Sequence, residues 1–87
     1  MTLPRPHDDV VSQRVGEDLV LVHLKTNEIF ALNETGARFW DLLVANRSRE
    51  EIEEAMLSEY DVSQEELIAE IDQILIDLVR QDMLRAA

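Results

Sequence analysis

The hydrophobic positions of the chain change period near residue 33. Before it, apolar residues tend to recur at every second position in three segments, which predicts β-strands over residues 10–15, 19–25 and 28–32. The connections between these segments are short, and this predicts an antiparallel meander whose first and third strands are edges. Residues 1–9 contain both prolines and no periodicity, so they are interpreted as a flexible N-terminal arm.

After residue 33 the apolar residues follow helical spacing, and polar residues mark where helices begin. Asn33 is a favourable N-cap for a first helix. The pairs Ser48/Glu51 and Ser63/Glu66 each have the spacing of a capping box, which predicts the starts of a second and a third helix. The order of elements predicts one α+β domain over residues 10–87, a three-stranded antiparallel meander followed by three helices with a winged-helix-like outline.

The predicted third helix, residues 64–83, is apolar over more of its surface than one core contact requires. At about 100° per residue, one narrow stripe is ordinary core, and it contains Leu67, Ile71, Ile74 and Leu78. A second set widens the apolar arc to about 200°, where about 100° suffices, and it contains Ile68, Leu75, Ile76, Val79 and Met83. Two interpretations stay open: the helix is buried on two sides, by its own domain or by a second copy, or it forms one wall of a groove for a partner.

The predicted third strand, Glu28–Leu32, has an apolar edge with little protection. Exposed edges usually carry Pro, Lys or inward-pointing charge, and here only Glu28 serves that purpose. Such an edge beside a wide apolar helix suits β-augmentation, in which an extended peptide adds as a further strand. The alternative is an edge covered by the N-terminal arm or by dimerisation.

Composition narrows the class of partner. The 87 residues carry eight Lys and Arg against nineteen Asp and Glu, a formal charge of −11, which disfavours nucleic acid and anionic membranes. A winged helix that binds DNA is disfavoured in particular, because residues 50–72 contain ten acidic and no basic residues. No segment has the length and apolarity of a membrane span and the N-terminus does not resemble a signal peptide, so a cytoplasmic location is expected.

Neither catalysis nor a cofactor is expected. Cysteine is absent, which excludes thiol nucleophiles and thiolate metal sites. His7 lies in the arm and His23 lies in a strand, each without a partner pattern, and the acidic residues match no calcium loop. No catalytic residues, metal ligands or cofactor are therefore predicted, and the chain is expected not to be an enzyme.

The segment from Thr26 to Leu43, with Leu32-Asn33-Glu34-Thr35-Gly36-Ala37 at its centre, resembles the PqqD-type family. The resemblance extends over residues 10–85. It implies a peptide-recognition element for ribosomally made, modified peptides, in which the leader segment of a precursor adds to the third strand and packs against the third helix. The chain is most similar to the stand-alone leader-binding proteins of lasso-peptide biosynthesis, which implies a Tyr-x-x-Pro leader and a leader peptidase to which the leader is delivered.

Two alternatives remain beside this interpretation. One is the peptide chaperone of pyrroloquinoline quinone biosynthesis within the same family, and the other is an acidic homodimerisation or interaction module. The leader-pairing strand is predicted to contain Glu28, Ile29, Phe30, Ala31 and Leu32. The groove wall on the third helix is predicted to contain Ile68, Asp72, Leu75, Ile76 and Val79. Asp72, among apolar neighbours, is a candidate partner for a Lys, Arg or Tyr of the leader.

Overall fold

A computed structural model describes residues 3–85 of the chain. Within them, the elements follow in the order β1 (Arg5–Pro6), β2 (Val10–Val15), β3 (Asp18–His23), β4 (Ile29–Leu32), α1 (Glu34–Val44), α2 (Arg49–Glu59), α3 (Gln64–Arg80) and β5 (Leu84–Arg85). Three of the strands form an antiparallel sheet in the order β2-β3-β4. The α+β class and the meander followed by three helices are therefore confirmed.

The sheet has one face toward the helices. Along β3, Leu19, Leu21 and His23 are buried, whereas the residues between them are less buried. Leu19 pairs with Leu32 of β4 and Leu21 pairs with Phe30, so side chains of both strands enter the same core. This alternation is the one expected of an antiparallel sheet covered on one face.

Helix α1 packs against this face, where it contacts β3 and β4, and one flank of it reaches the β2 edge. The Asn33 side chain accepts the Gly36 N–H at 2.9 Å, which confirms the predicted N-cap. Arg14 of β2 forms an ion pair with Asp41 of α1 at 2.8 Å, which holds the helix near that edge of the sheet. Val44, near the end of the helix, is 54% exposed.

Both predicted serine N-caps are present, but their details differ. Ser48 forms a complete capping box, in which its hydroxyl accepts the Glu51 N–H and the Glu51 carboxylate accepts the Ser48 N–H. The Ser63 hydroxyl accepts the Glu66 N–H at 3.1 Å, but the Glu66 carboxylate accepts from the Ser63 hydroxyl rather than from its backbone. The second start therefore has the N-cap without the reciprocal backbone bond.

Helix α3 ends at Arg80, three residues before the predicted end at Met83. The Met83 N–H donates to the Leu78 carbonyl at 2.9 Å and the Asp82 N–H donates to the Val79 carbonyl at 3.1 Å. With Asp82 at φ +58°, these bonds form a Schellman motif. Met83 therefore leaves the helix and is fully buried in the core.

Strand β3 ends at His23, two residues before the predicted end. The His23 side chain accepts the Lys25 N–H at 3.2 Å, and this contact turns the chain away from the strand. Asn27 takes a positive φ of 62° in the turn that follows. Glu28, predicted to open the third strand, consequently lies just before β4 and outside it.

Part of the N-terminal segment has regular structure that the sequence pattern does not predict. Arg5 and Pro6 of β1 pair with Arg85 and Leu84 of β5, and the His7 N–H donates to the Met83 carbonyl at 3.0 Å. Residues 1–2 of the predicted arm and residues 86–87 of the predicted domain lie outside the described residues. The flexibility of residues 1–9 and the domain boundary at residue 10 stay predictions.

None of the helices among residues 3–85 combines the length and apolarity that crossing a bilayer requires.

Candidate functional site at the edge of strand β4

The outer edge of β4 is the open edge nearest the predicted site. Among the described residues, β4 has β3 as its neighbour in the sheet and no strand on its other side. The His23 N–H donates to the Glu28 carbonyl at 2.9 Å, which identifies this pair as a hydrogen-bonded one. Bonded and non-bonded pairs alternate in an antiparallel ladder. The register then makes Leu21/Phe30 bonded and Val22/Ile29 non-bonded.

Ile29 and Ala31 therefore direct their backbone N–H and C=O groups away from β3, toward the free edge. Phe30 and Leu32 use theirs to bond β3. The hydrophobic pattern alone does not show which residues of β4 face the free edge with their backbone groups, because this depends on the register between β4 and β3. The open edge consequently offers four backbone groups, two donors and two acceptors, to an added strand.

The side chains of β4 alternate between the core face and the outer face of the sheet, in register with those of β3. Leu32 is buried and Phe30 packs partly against the core, while Ile29 is 68% exposed and Ala31 is exposed on the other face. Four of the five predicted strand residues thus lie in β4, and Glu28 precedes it. An added strand would place its own side chains alternately toward the helix-covered face and toward the outer face of the sheet.

The five residues predicted to form the groove wall on α3 differ in exposure. Ile76 and Val79 are exposed by 47% and 41%, while Ile68 and Leu75 are partly buried. Ile76 and Val79 are therefore the apolar residues of this set with the most surface free for a partner.

Asp72 and Leu75 contact elements other than β4. Arg49 at the start of α2 donates to Asp72 at 2.7 Å, and it also donates to Glu53 at 2.7 Å. Leu75 lines a surface cavity of about 560 Å³ together with Leu3 of the N-terminal segment and the first turns of α2. The face of α3 that holds Asp72 and Leu75 is thus shared with α2 and the N-terminal segment.

The opposite flank of α3 is acidic. Residues 66, 70, 73 and 77 follow one another at helical spacing on the side of the core stripe away from Asp72. Three are carboxylates, and the Gln73 side-chain amide donates to Asp77 at 3.0 Å. The predicted wall of apolar residues does not include this flank, although the flank also borders the core stripe of α3.

Most of the basic side chains are occupied by ion pairs within the chain. Among residues 3–85, such pairs engage Arg14, Lys25, Arg38, Arg47, Arg49 and Arg85. The two hydrogen bonds from Arg38 lower the pKa of the Glu59 carboxyl, and the bonds from Ser48 lower the pKa of the Glu51 carboxyl. The excess of carboxylates therefore leaves a negative surface, with few cations available to an anionic ligand.

His7, His23 and Asp82 bring ligand-type atoms within 4.8 Å of one another. Nδ1 of His7 accepts the Asp9 N–H at 3.1 Å, and Nδ1 of His23 accepts the Lys25 N–H at 3.2 Å. A neutral imidazole that accepts at Nδ1 carries its proton on Nε2 and has no lone pair there for a metal. The donor set therefore does not fit a cation.

Known proteins of similar sequence or structure share this fold. The model of the family described as coenzyme PQQ synthesis protein D (PqqD) matches residues 18–84. A solved structure of TbiB1 in complex with the TbiA(beta) leader peptide is 32% identical, with a TM-score of 0.86, over 92% of this chain and 93% of that chain. A lasso peptide synthetase B1 complexed with its leader peptide is 19% identical, with a TM-score of 0.85, over 99% and 100% of the two chains. The second likeness concerns the fold alone. No curated protein matches the chain.

The family match covers far more than half of the chain and includes the strand, helix start and third helix discussed above. The chain belongs to the PqqD family.

Proposed function

We propose that the chain is a non-catalytic binding protein for the leader segment of a ribosomally made precursor peptide, which it captures as an additional strand on the open edge of β4. The observation that supports this most is the 32% identity, over 92% of the chain, to a protein solved with a leader peptide bound. The free backbone groups of Ile29 and Ala31 supply the hydrogen bonds that β-augmentation needs.

In this proposal, affinity and selectivity for the peptide come from different groups of the site. Backbone pairing with Ile29 and Ala31 gives affinity that depends little on the peptide's side chains. Selectivity then rests on the alternate side chains that point from the added strand toward α3. Ile76 and Val79 offer apolar contacts there, and Asp72, if released from Arg49, offers a carboxylate.

The pathway is part of the same proposal. We assign the chain to lasso-peptide biosynthesis, with a Tyr-x-x-Pro leader, a cytoplasmic location and delivery of the leader to a peptidase. The alternative within the family is the peptide chaperone of pyrroloquinoline quinone biosynthesis. The genes beside this one distinguish the two, because a precursor, protease and cyclase belong to the first pathway and quinone-pathway genes to the second.

Calorimetric titration tests the binding proposal directly. The full chain is titrated with a synthetic leader peptide from the neighbouring precursor gene, and a scrambled peptide of the same composition is the control. Saturable one-to-one binding of the leader alone supports the proposal. Absence of saturable binding by every precursor leader encoded beside the gene contradicts it.

An open strand edge also permits pairing between two copies of the chain. Light scattering separates this possibility from leader binding. A monomer that forms a one-to-one complex with the leader supports the proposal, whereas a stable dimer that the leader leaves unchanged supports a homodimerisation module instead.

A further inference from the structure

The buried His23 side chain has an unusual hydrogen-bonding state. It is 1% exposed, and its Nδ1 accepts the Lys25 N–H at 3.2 Å and the Thr26 N–H at 3.4 Å. The neutral ring then carries its proton on Nε2. Among the described residues, this Nε2 has no hydrogen-bond partner although it is buried. A buried N–H without a partner costs free energy, so its surroundings merit a functional explanation.

The carboxylate of Asp82 lies close to this group, with its Oδ2 3.4 Å from His23 Nε2. Asp82 is the residue after the C-cap of α3 and has φ +58°, a position that glycine usually occupies. A side chain at such a position strains the backbone mildly, since Asp tolerates the left-handed region less readily than Gly. What Asp82 adds, compared with glycine, is a carboxylate pointed at His23.

These two residues connect the two walls of the proposed peptide site. His23 is the last residue of β3, and its N–H bonds the Glu28 carbonyl immediately before β4. Asp82 lies in the Schellman motif that ends α3, in which its N–H donates to the Val79 carbonyl. The 3.4 Å approach of His23 Nε2 to Asp82 Oδ2 therefore places the end of α3 beside the start of β4.

A third segment, which contains His7, also contacts His23. The His7 ring centroid lies 4.6 Å from that of His23, and the His7 N–H donates to the Met83 carbonyl at 3.0 Å. The Nδ1 bonds to the turn and this ring contact fix the orientation of the His23 imidazole, so Nε2 keeps its direction toward Asp82.

We propose that His23 is a positioning residue for the peptide site, and that its Nε2–H and the Asp82 carboxylate form a clasp that closes into a hydrogen bond when a peptide strand is bound between β4 and α3. This inference rests on the proposed function. In the structure, Nε2 and Oδ2 lie 3.4 Å apart without forming a hydrogen bond. Closing it satisfies a buried donor, and that gain adds to the affinity for the peptide.

Two substitutions at one position test the clasp. Asp82→Gly removes the acceptor and suits the positive φ, so we expect a free energy of unfolding equal to or above that of the wild type. We expect its affinity for the leader to fall by about fivefold or more, since the hydrogen bond is lost and the buried Nε2–H is left without a partner. Asp82→Asn keeps an oxygen acceptor and tolerates positive φ, so we expect it to retain affinity within about twofold.

The outcomes are distinct. A purely structural Asp82 predicts that the Gly variant binds the leader as well as the wild type does, and that result overturns the clasp. Equal loss in the Gly and Asn variants also overturns it, because charge rather than the hydrogen bond would then be responsible. Failure of the wild-type chain to bind any leader contradicts the proposed function instead.

A measurement on the wild-type chain covers the case in which a variant does not fold. NMR of ¹⁵N-labelled protein reports the His23 Nε2–H directly. On saturation with leader peptide we expect its exchange with water to slow by about tenfold or more, as a newly formed hydrogen bond requires. Binding of the leader without any change in this exchange rate overturns the clasp.

Discussion

Gly36 in the first turn of α1 packs directly against Leu32, the last residue of β4. A Cβ atom on Gly36 would stand 3.0 Å from Leu32 Cδ2 and 3.2 Å from Leu32 Cβ. Both residues are buried, and Asn33 between them caps the helix through the Gly36 N–H. The close approach fixes the strand that bears the proposed site relative to the helix that follows it.

Gly36→Ala is expected to lower stability although alanine favours helix formation. The helical preference contributes about 0.5–1 kcal/mol, whereas forcing a methyl group into a filled core costs about 1–3 kcal/mol. We expect a net loss on the order of 1 kcal/mol in the free energy of unfolding, measured by urea denaturation. Unchanged or increased stability would mean that Leu32 can move aside.

Proline at position 31 tests the backbone pairing at the free edge. Ala31→Pro removes an N–H that points away from β3, so the sheet itself keeps its bonds. We expect the free energy of unfolding to change by less than about 1 kcal/mol. Leader affinity is expected to fall by at least about tenfold, because one hydrogen bond is lost and the ring obstructs the incoming strand. Calorimetry with the leader peptide measures this.

The matched control is Ser12→Pro on the opposite edge of the sheet. Leu24 N–H bonds the Asp9 carbonyl, and by alternation along β2 the Ser12 N–H also points away from β3. The control is expected to bind the leader normally. Equal affinities for the Ala31 variant and the wild type would exclude pairing through β4.

The predictable part of the fold is the part that local chemistry specifies. The caps Asn33, Ser48 and Ser63 begin helices where they were predicted, because a side-chain acceptor three residues ahead of a free N–H is a local signal. The predicted ends of β3 and α3, in contrast, lie too far along the chain. Strand β3 stops at His23, whose Nδ1 accepts the Lys25 N–H. Helix α3 stops before Asp82, whose positive φ is not visible in the hydrophobic periodicity.

The candidate site was predictable only in outline. The open edge follows from a meander of three short strands, but the free groups of Ile29 and Ala31 follow from register. The helix pattern indicated excess apolar surface on α3. It contained no information on the neighbour that covers each part, and Asp72 and Leu75 lie against α2 and the N-terminal segment.

Val79→Asp tests the predicted wall on α3. Val79 is 41% exposed, so the fold is expected to tolerate the change, while an apolar contact with the leader is replaced by a charge that must be desolvated. We expect leader affinity to fall by about tenfold. Val44→Asp on α1 is the matched control, because Val44 is 54% exposed and lies beside β2 rather than β4.

A second pair of results would relocate the wall. If Val79→Asp binds normally while Asp77→Lys weakens binding about tenfold or more, the leader lies along the acidic flank of α3 instead. Calorimetry on both variants with one leader peptide decides between the two flanks.

The pair of Arg38 and Glu59 predicts how stability depends on pH. Arg38 Nε and Nη2 donate to the two Glu59 oxygens at 2.8 Å each, and these bonds hold the pKa of the Glu59 carboxyl below its ordinary value near 4.5. A lowered pKa in the folded state means that the pair stabilises the fold above about pH 4.5. That contribution is lost as the pH falls through the folded-state pKa.

Glu59→Gln isolates this effect. Because both side chains are more than a third exposed, we expect the variant to be less stable than the wild type by no more than about 1 kcal/mol at pH 7. The difference is expected to shrink as the pH falls below about 4.5 and through the folded-state pKa, because the wild-type carboxyl then becomes protonated. Urea denaturation between pH 3 and 7 measures this difference.

Glu70→Gln is the control for lowering the charge, since among residues 3–85 Glu70 has no basic partner within 4.0 Å. A constant difference for Glu59→Gln across this range would contradict the assignment to the ion pair.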